Sequence, residues 1–451
     1  MLVRLRLRRD GARMFDTSAK HDPMHAWMTD LFPLCRSLTG EGVRQTLAYY
    51  QKLLPELEMR SVPSGTQAFD WTVPDEWRID DAWIEDESGR RVVDFQKCNL
   101  HVVGYSEPVD VTLSKAELAE FVNTIPDMPS AIPYITSYYR RRWGFNVAHE
   151  QWQRLPEGRY RAVIKSELKP GVLNYAEALI PGESQKEVLL SSYVCHPSMA
   201  NNELSGPTLL VALGRWLKAL PRRRYSYRIV LTAETIGAIV YISRNLEALR
   251  KNVIAGYVAT CVGDPGQISF MPSRRGDTLA DKAALRALAD GGAFRQHSFL
   301  ERGSDERQYC SPGVDLPVAS IMRSKYLNFP EYHTSLDDLD FVTQEAMEGC
   351  FDAYARTISY LERNYTYVAV NPCEPQLGKR GLYPTLSTRG NTDEVRAMLD
   401  LLTYADGERD ALDASAHVGV DFELAATIYD KLYGAGLLER REAPMPRSKP
   451  D

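Results

Sequence analysis

Imidazole and carboxylate side chains follow four separate apolar runs in the middle of this chain. The runs span residues 188–194, 225–231, 253–262 and 314–322, and the side chains that follow them are His196, Glu234, Asp264 and His333. Zinc accepts imidazole nitrogen and carboxylate oxygen as ligands. A nearby carboxylate that is not a ligand can act as a general base on water. These residue types therefore indicate metal-assisted hydrolysis.

The four runs have the composition of buried strands, and an apolar helical segment, 208–220, follows the first of them. Strands that alternate with helices form an α/β sheet, and such sheets bind ligands beyond the carboxyl ends of their strands. A single histidine at a strand end is explained equally well by a hydrogen bond to a carbonyl group. The recurrence of the pattern favours one shared site.

Five phrases of the sequence carry a resemblance to a known family. They are CHPSMAN at 195–201, AETIG at 233–237, TCVGD at 260–264, RGSDERQY at 302–309 and EYHTSLD at 331–337. In these phrases the chain resembles the zinc aminopeptidase clan typified by the M28 peptidases. It resembles more closely a bacterial family that joins an aminopeptidase-like domain to an inserted β domain and a C-terminal winged helix.

The resemblance implies that His196, Asp264 and His333 hold a metal ion and that Glu234 is the catalytic base. It also implies an amide bond as the target, at the amino end of a peptide or a peptide-like small molecule. The ion would polarise the scissile carbonyl and acidify a water molecule, whose proton Glu234 would pass to the leaving amine.

The chain departs from the clan at two positions that usually bind metal. Asn202 stands where a bridging Asp is usual, and Thr235 stands where a second Glu is usual. Two dications about 3.5–4 Å apart need bridging negative charge to offset their repulsion. We therefore expect one zinc ion per chain, with Glu203 as a possible replacement carboxylate.

Four residues are expected to contact the substrate, and they are Asn202, Glu203, Arg307 and Tyr309. The last two lie in a loop that borders the substrate pocket in the resembled clan, although a salt-bridged surface turn explains them as well. A further segment, 134–143, interleaves aromatic and basic residues. It indicates either a packed hairpin with solvated arginines or a cleft wall on which Arg140 to Arg142 hold a substrate carboxylate.

Composition limits the remaining possibilities. The 451 residues are 44% hydrophobic and 25% charged, which is enough for several domains, and no apolar run approaches the ~18 residues of a membrane span. The net charge of −6 gives no reason to expect nucleic acid or anionic lipid as the main partner. Seven cysteines without close pairs favour reduced thiols in the cytoplasm.

The expected fold is α/β, with a mixed open sheet that carries helices on both faces. The predicted domains are the N-terminal part of the aminopeptidase-like domain at 14–75, a β-rich insert at 76–165, the continued aminopeptidase-like domain at 166–370, and a winged helix at 386–443. The insert is predicted to contain short strands, one of them at 100–104, and residues 365–385 are predicted to be a linker. In the winged helix, helices are predicted at 394–404, 411–418 and 422–435, and a wing is predicted to begin at residue 437.

The predicted winged helix has a composition that argues against DNA binding. Residues 391–442 hold 12 Asp and Glu against 5 Lys and Arg, whereas phosphate contacts require basic side chains. Packing or homo-oligomer formation is the expected role of this domain.

Two alternatives to a zinc hydrolase stay open. The first is a catalytically degenerate protein that binds an amino acid, peptide or sugar precursor, which the neutral Asn202 and Thr235 favour. The second is a zinc-dependent acyltransferase or cyclase on the same fold.

Overall fold

The computed structural model describes residues 21–382 and 389–442. Its α-helices are α1 (Met24–Leu31), α2 (Glu41–Leu53), α3 (Lys115–Leu118), α4 (His149–Arg154), α5 (Ser205–Ala219), α6 (Ile236–Asn252), α7 (Leu279–Gly291), α8 (Glu306–Tyr309), α9 (Gln344–Arg363), α10 (Arg389–Thr403), α11 (Ala411–Val418) and α12 (Phe422–Gly434).

The described strands are β1 (Glu58–Pro63), β2 (Gln67–Ala68), β3 (Trp71–Thr72), β4 (Glu76–Glu85), β5 (Arg91–Asp94), β6 (Val109–Ser114), β7 (Val122–Asn123), β8 (Phe145–Asn146), β9 (Arg159–Lys169), β10 (Val172–Ile180), β11 (Glu187–Tyr193), β12 (Ser226–Thr232), β13 (Val253–Val258), β14 (Ser269–Met271), β15 (Arg295–Gln296), β16 (Val318–Met322), β17 (Tyr365–Ala369), β18 (Asp406–Asp410) and β19 (Leu438–Glu442). Packing divides the chain into a larger unit, 21–274 with 295–351, and a smaller unit built from 275–294 and the residues from 352 onwards.

An eight-stranded mixed sheet forms the centre of the larger unit, in the order β1-β10-β12-β11-β13-β16-β14-β15. Its four middle strands, β12, β11, β13 and β16, are mutually parallel. Their carboxyl ends therefore lie along one edge of the sheet, which is the edge where ligands bind in such folds. These four strands correspond to the four apolar runs of the sequence.

Helices cover both faces of this sheet, as expected. The helices α1, α2 and α5 pack together in one layer, and α6 packs with α8 in another. All seven residues of β11 are buried, because this strand lies in the middle of the sheet with helices on both sides. This burial on both faces fits the apolar residues Val188, Leu189 and Leu190. The two serines that follow are buried with their hydroxyls hydrogen-bonded to Tyr309 and to the carbonyl oxygen of Ala259.

The β-rich insert is built on an antiparallel sheet in the order β5-β4-β9-β6. Its longest pairing, between β4 and β9, runs from Glu76 with Lys169 to Glu85 with Arg161. The strand β9 therefore contains residues 159–165, the last part of the segment predicted as the insert, and continues to Lys169. The predicted strand 100–104 is absent from this sheet, since Asn99–His101 is a 3-10 turn.

The smaller unit contains a three-stranded antiparallel sheet, β18-β17-β19, with the helices α10, α11 and α12. The predicted segment 411–418 coincides with α11, and the predicted wing at residue 437 corresponds to β19. The prediction that 365–385 is a linker is wrong at its start, because Tyr365–Ala369 forms the central strand β17. The linker was predicted from the prolines at 372, 375 and 384, all of which follow the strand.

None of the helices in 21–382 and 389–442 is both long enough and apolar enough to cross a membrane.

Gly206, in the first turn of α5, is expected to tolerate no side chain. A Cβ atom there would collide with the carbonyl oxygen of Ala259 and the hydroxyl of Ser192. We expect Gly206→Ala to lower the free energy of unfolding by about 1–3 kcal/mol, as overpacking does. Thermal unfolding of the full chain would measure this loss. Gly313→Ala is the matched control, since nothing lies within 4 Å of a Cβ there, and equal stability of the two variants would contradict the expected close packing.

Candidate active site

A cavity of ≈ 240 Å³ opens at the carboxyl edge of the central sheet. Three of the predicted site residues, His196, Glu234 and His333, line it. The remaining lining residues are mostly aromatic or apolar, and they are Leu38, Trp71, Tyr134, Thr136, Tyr138, Tyr139, Cys195, Thr235 and Ile236. The cavity is therefore a small, mainly apolar chamber with a few acid–base groups on its wall.

Contacts on the side away from the cavity hold the His196 ring in one orientation. Its Nδ1 atom lies 3.0 Å from a carboxylate oxygen of Glu203. The guanidinium of the fully buried Arg36 lies 3.4 Å from the other oxygen of Glu203 and donates to the His196 carbonyl oxygen at 3.0 Å. Burial opposes the charged form of the imidazole, but the Glu203 carboxylate outweighs it and raises the pKa of His196. The other ring nitrogen, Nε2, is left to face the cavity.

Glu234 lies where β12 gives way to α6, at the cavity wall. Its carboxylate accepts a hydrogen bond from the hydroxyl of Ser304 at 2.9 Å and lies 3.7 Å from Nε2 of His196. Burial raises the pKa of Glu234, and the nearby His196 opposes that rise. A carboxylate with a raised pKa is better matched to general-base work near neutral pH than an ordinary one.

Thr235 has an unusual backbone conformation for a β-branched residue, with φ +64°. Its N–H donates to a carboxylate oxygen of Asp305 at 2.8 Å, and its hydroxyl accepts from Arg307 at 2.5 Å. Such a conformation costs on the order of 1–3 kcal/mol and is most often found at functional sites. The contacts to Asp305 and Arg307 hold the turn that presents Glu234.

His333 approaches the same cavity from the loop after β16, and its φ is also positive, at +57°. Its ring stacks on Tyr332 with centroids 3.9 Å apart and lies 5.4 Å from the ring of His196. Burial lowers the pKa of His333 to about 3, so the imidazole is neutral. Its Nε2 atom is buried and has no hydrogen-bond partner among the described residues.

Asp264 does not meet the two histidines in this arrangement. Its carboxylate accepts hydrogen bonds from the amide nitrogen of Asn201, the hydroxyl and N–H of Ser324, and the N–H of Gly266, at 2.6–3.1 Å. The Gly263 N–H donates to the Asn201 side-chain oxygen, which fixes the amide with its nitrogen toward Asp264. Hydrogen-bond donors thus surround this carboxylate where a metal ligand would need a free lone pair.

Asn202 is also turned away from the cavity. Its side-chain oxygen accepts from the hydroxyl of Tyr193 at 2.9 Å, and its N–H donates to Asp337 at 2.8 Å. The same Asp337 carboxylate accepts from the N–H groups of Ala200 and Asn201. It therefore anchors the start of the π-helical turn Ala200–Leu204 that leads into α5.

Three of the predicted substrate contacts do not line the cavity. Tyr309 is completely buried and its hydroxyl pairs with Ser191. Asn202 is buried, with its side-chain oxygen bonded to Tyr193 and its side-chain nitrogen without a partner among the described residues, and Glu203 contacts His196 on the side away from the cavity. Only Arg307 lies close to the cavity wall, through its contact with Thr235.

The structure also brings together a possible metal-binding group that differs from the predicted trio. Among the residues described, Cys195, His196 and Glu203 are the one set of three such side chains with ligand atoms within 4.8 Å of one another. Burial raises the pKa of Cys195 well above its ordinary value, so the sulfur is a neutral thiol. The Arg36 guanidinium beside Glu203 adds a positive charge that opposes a dication there.

A cleft wall was one of two alternatives for the segment 134–143, but it was expected to act through its arginines, whereas its tyrosines line this cavity. The buried cation behind His196 was not predicted. Tyr134 packs against both imidazoles, with centroids 4.9 Å from His196 and 5.1 Å from His333. The aromatic–basic segment 134–143 was the available signal for this wall. Arg36 lies 160 residues from His196 in the chain, and no local sequence pattern predicts their contact.

The fold is an α/β fold of the aminopeptidase-like type. A zinc aminopeptidase from Bacillus subtilis has the same fold, with a TM-score of 0.55 at 12% identity, over 74% of this chain and 93% of that one. The chain belongs to the family described as a domain of unknown function (DUF4910), which matches residues 25–364. A winged helix-turn-helix family matches residues 365–440 and so includes β17.

Two relatives from Clostridium acetobutylicum extend over nearly the whole chain. One, 43% identical over 91% of this chain and 94% of its own length, is named "Putative polysaccharide biosynthesis protein with aminopeptidase-like domain". The other is a crystal structure described as a "putative peptidase", with a TM-score of 0.87 and 42% identity over 92% of this chain and 96% of that one.

Proposed function

We propose that this protein hydrolyses an amide bond at the amino end of a peptide or peptide-like small molecule, with Glu234 as the general base. The observation that carries the proposal is the position of Glu234. Its partly buried carboxylate faces a small chamber, accepts a hydrogen bond from Ser304 and lies 3.7 Å from Nε2 of His196. A base held in this way can take a proton from water and return it to the leaving amine.

The groups around Glu234 have distinct tasks in this proposal. Glu203 and Arg36 keep His196 oriented, so its Nε2 stays directed toward Glu234. His333 is neutral and offers an unpaired nitrogen to the chamber. The other walls are mostly apolar and aromatic, and surroundings of low polarity strengthen the electrostatic interactions between these groups.

One zinc ion remains the predicted cofactor, and His196 and His333 are the residues that fit it. A carboxylate on Nδ1 is the usual support for a metal-binding imidazole, and His196 has it in Glu203. Bound zinc would polarise the scissile carbonyl and lower the pKa of a water molecule. Asp264 does not fit as a third ligand, because its four hydrogen bonds would first have to break.

The second candidate function is ligand binding without turnover. The saturated Asp264 and the neutral Asn201 beside it favour this alternative, since they leave fewer anionic ligands than a catalytic zinc site usually has. The name of the polysaccharide-biosynthesis relative is compatible with a bound sugar precursor. A transferase or cyclase would differ from the hydrolase in its product, which would be an acylated or cyclised amine instead of a free acid.

Glu234→Gln tests the role of the base. The change keeps the size and the hydrogen-bonding oxygen of the side chain but removes its basicity. We expect hydrolysis, in a screen of aminoacyl amides and short peptides, to fall about 10²–10⁴-fold. Glu167→Gln, at an exposed site on β9, is the matched control and should retain full activity. Full activity in Glu234→Gln would exclude Glu234 as the base, and no turnover in the wild type would favour the binding protein.

Elemental analysis of purified variants tests the zinc prediction. We expect about one zinc per wild-type chain, loss of the metal in His333→Ala, and retention in Asp264→Asn, because Asp264 is committed to its hydrogen bonds. Equal loss in both variants would show that Asp264 is a ligand. A metal-free wild type would end the zinc prediction, whatever the activity of the protein.

A further inference from the structure

A second, larger cavity adjoins the reactive chamber. Its volume is ≈ 640 Å³, and it shares Trp71, Tyr138 and Tyr139 with the chamber that holds Glu234. Ligand pockets usually measure about 300–1,000 Å³, so this outer cavity has the size of a ligand site while the inner chamber does not. A molecule with its reacting end in the inner chamber would extend into the outer cavity.

Aromatic side chains form the boundary between the two cavities, and two of them carry polar groups without a hydrogen-bond partner among the described residues. Trp71 and Tyr139 meet edge to face, with centroids 5.6 Å apart, and Tyr139 is 61% exposed. Neither the Trp71 indole nitrogen nor the Tyr139 hydroxyl has a hydrogen-bond partner in the described part of the chain. Behind them, Tyr138 is fixed by a hydrogen bond to Tyr134 and by its contact with Tyr105.

The charged groups of the outer cavity balance one another. Asp70, Asp75, Arg140 and Arg141 all line it, which gives two carboxylates and two guanidinium groups. Arg141 is loosely paired with both Asp75 and Glu107 at 3.5 Å, whereas Arg140 makes no side-chain hydrogen bond or ion pair within the described residues. The lining of the outer cavity therefore presents exposed donors and acceptors of both signs and has little net charge.

We propose that the outer cavity binds a saccharide unit, and that the substrate of the proposed hydrolysis is a sugar-bearing amide. The electron-rich face of an aromatic ring attracts the weakly positive C–H face of a sugar. Carboxylates accept hydrogen bonds from hydroxyl groups, and guanidinium groups donate to them. A site with balanced charge suits an uncharged polyol better than a phosphate or a carboxylate.

The inference about the substrate rests on the proposed function, but saccharide binding at the outer cavity does not. Binding can therefore be measured without turnover. Suitable probes are glucose, galactose, N-acetylglucosamine and maltose, with trialanine and glucose 6-phosphate as the peptide and anionic comparisons. Saturation-transfer NMR on the full chain reports which probe binds and gives its dissociation constant by titration.

We expect at least one neutral saccharide to bind, and to bind at least tenfold more weakly to Trp71→Ala and to Arg140→Ala. Trp71→Phe should retain part of the affinity, because it keeps the ring and loses only the indole N–H. Tyr433→Ala and Arg154→Ala remove an exposed aromatic ring and an exposed arginine elsewhere, and they should bind as the wild type does. Unchanged melting temperatures would establish that the variants are folded.

The proposal fails if no neutral saccharide binds, if the Trp71 and Arg140 variants bind as the wild type does, or if only trialanine or glucose 6-phosphate shows binding. Glu234→Gln separates this result from the proposed function. Sugar binding to that variant together with an inactive wild type would refute hydrolysis and leave the saccharide site intact. Hydrolysis of simple peptides without sugar binding would refute the saccharide site alone.

Discussion

The Glu203 carboxylate is the group on which the arrangement of the candidate site depends. It lies between the buried guanidinium of Arg36 and the imidazole of His196, and all three side chains are removed from solvent. A buried charge without its partner costs on the order of 3–5 kcal/mol. Each of the two charged members therefore requires the other. Through this pair, the segment between α1 and α2 fixes His196, which lies three residues beyond the end of β11.

Because the four middle strands are parallel, the reactive side chains that follow them lie at one edge of the sheet. They bring His196, Glu234 and the loop with His333 to the same side, although these residues are distant in the chain. The positive φ angles of Thr235 and His333 then aim two of the turns into the chamber. The insert adds the aromatic wall, so the reactive edge and the substrate-sized cavity come from different parts of the larger unit.

Much of the fold follows from local sequence patterns, whereas much of the site depends on contacts between distant segments. Apolar runs predicted the strands that precede the acids and imidazoles, and α11 was predicted at its observed bounds. In the structure Asp410 caps the start of α11 and Gly419, with a positive φ, ends it, so both ends of this helix are set by local residues. The hydrogen bonds that occupy the Asp264 carboxylate could not be predicted. They depend on the orientation of the Asn201 side-chain amide, which the N–H of Gly263 sets. The strand β17 was missed because the residues that pair with it lie at least 38 residues further along the chain.

The position of the proton on the His196 ring tests most directly whether Glu203 determines the orientation and tautomer of His196. In protein with ¹⁵N-labelled histidine, NMR at pH 8.5 distinguishes a proton on Nδ1 from a proton on Nε2, and His196→Gln assigns the signal. The contact between Nδ1 and Glu203 predicts a proton on Nδ1 and a free Nε2 that faces Glu234. A proton on Nε2 would contradict the arrangement from which the proposed chemistry is derived.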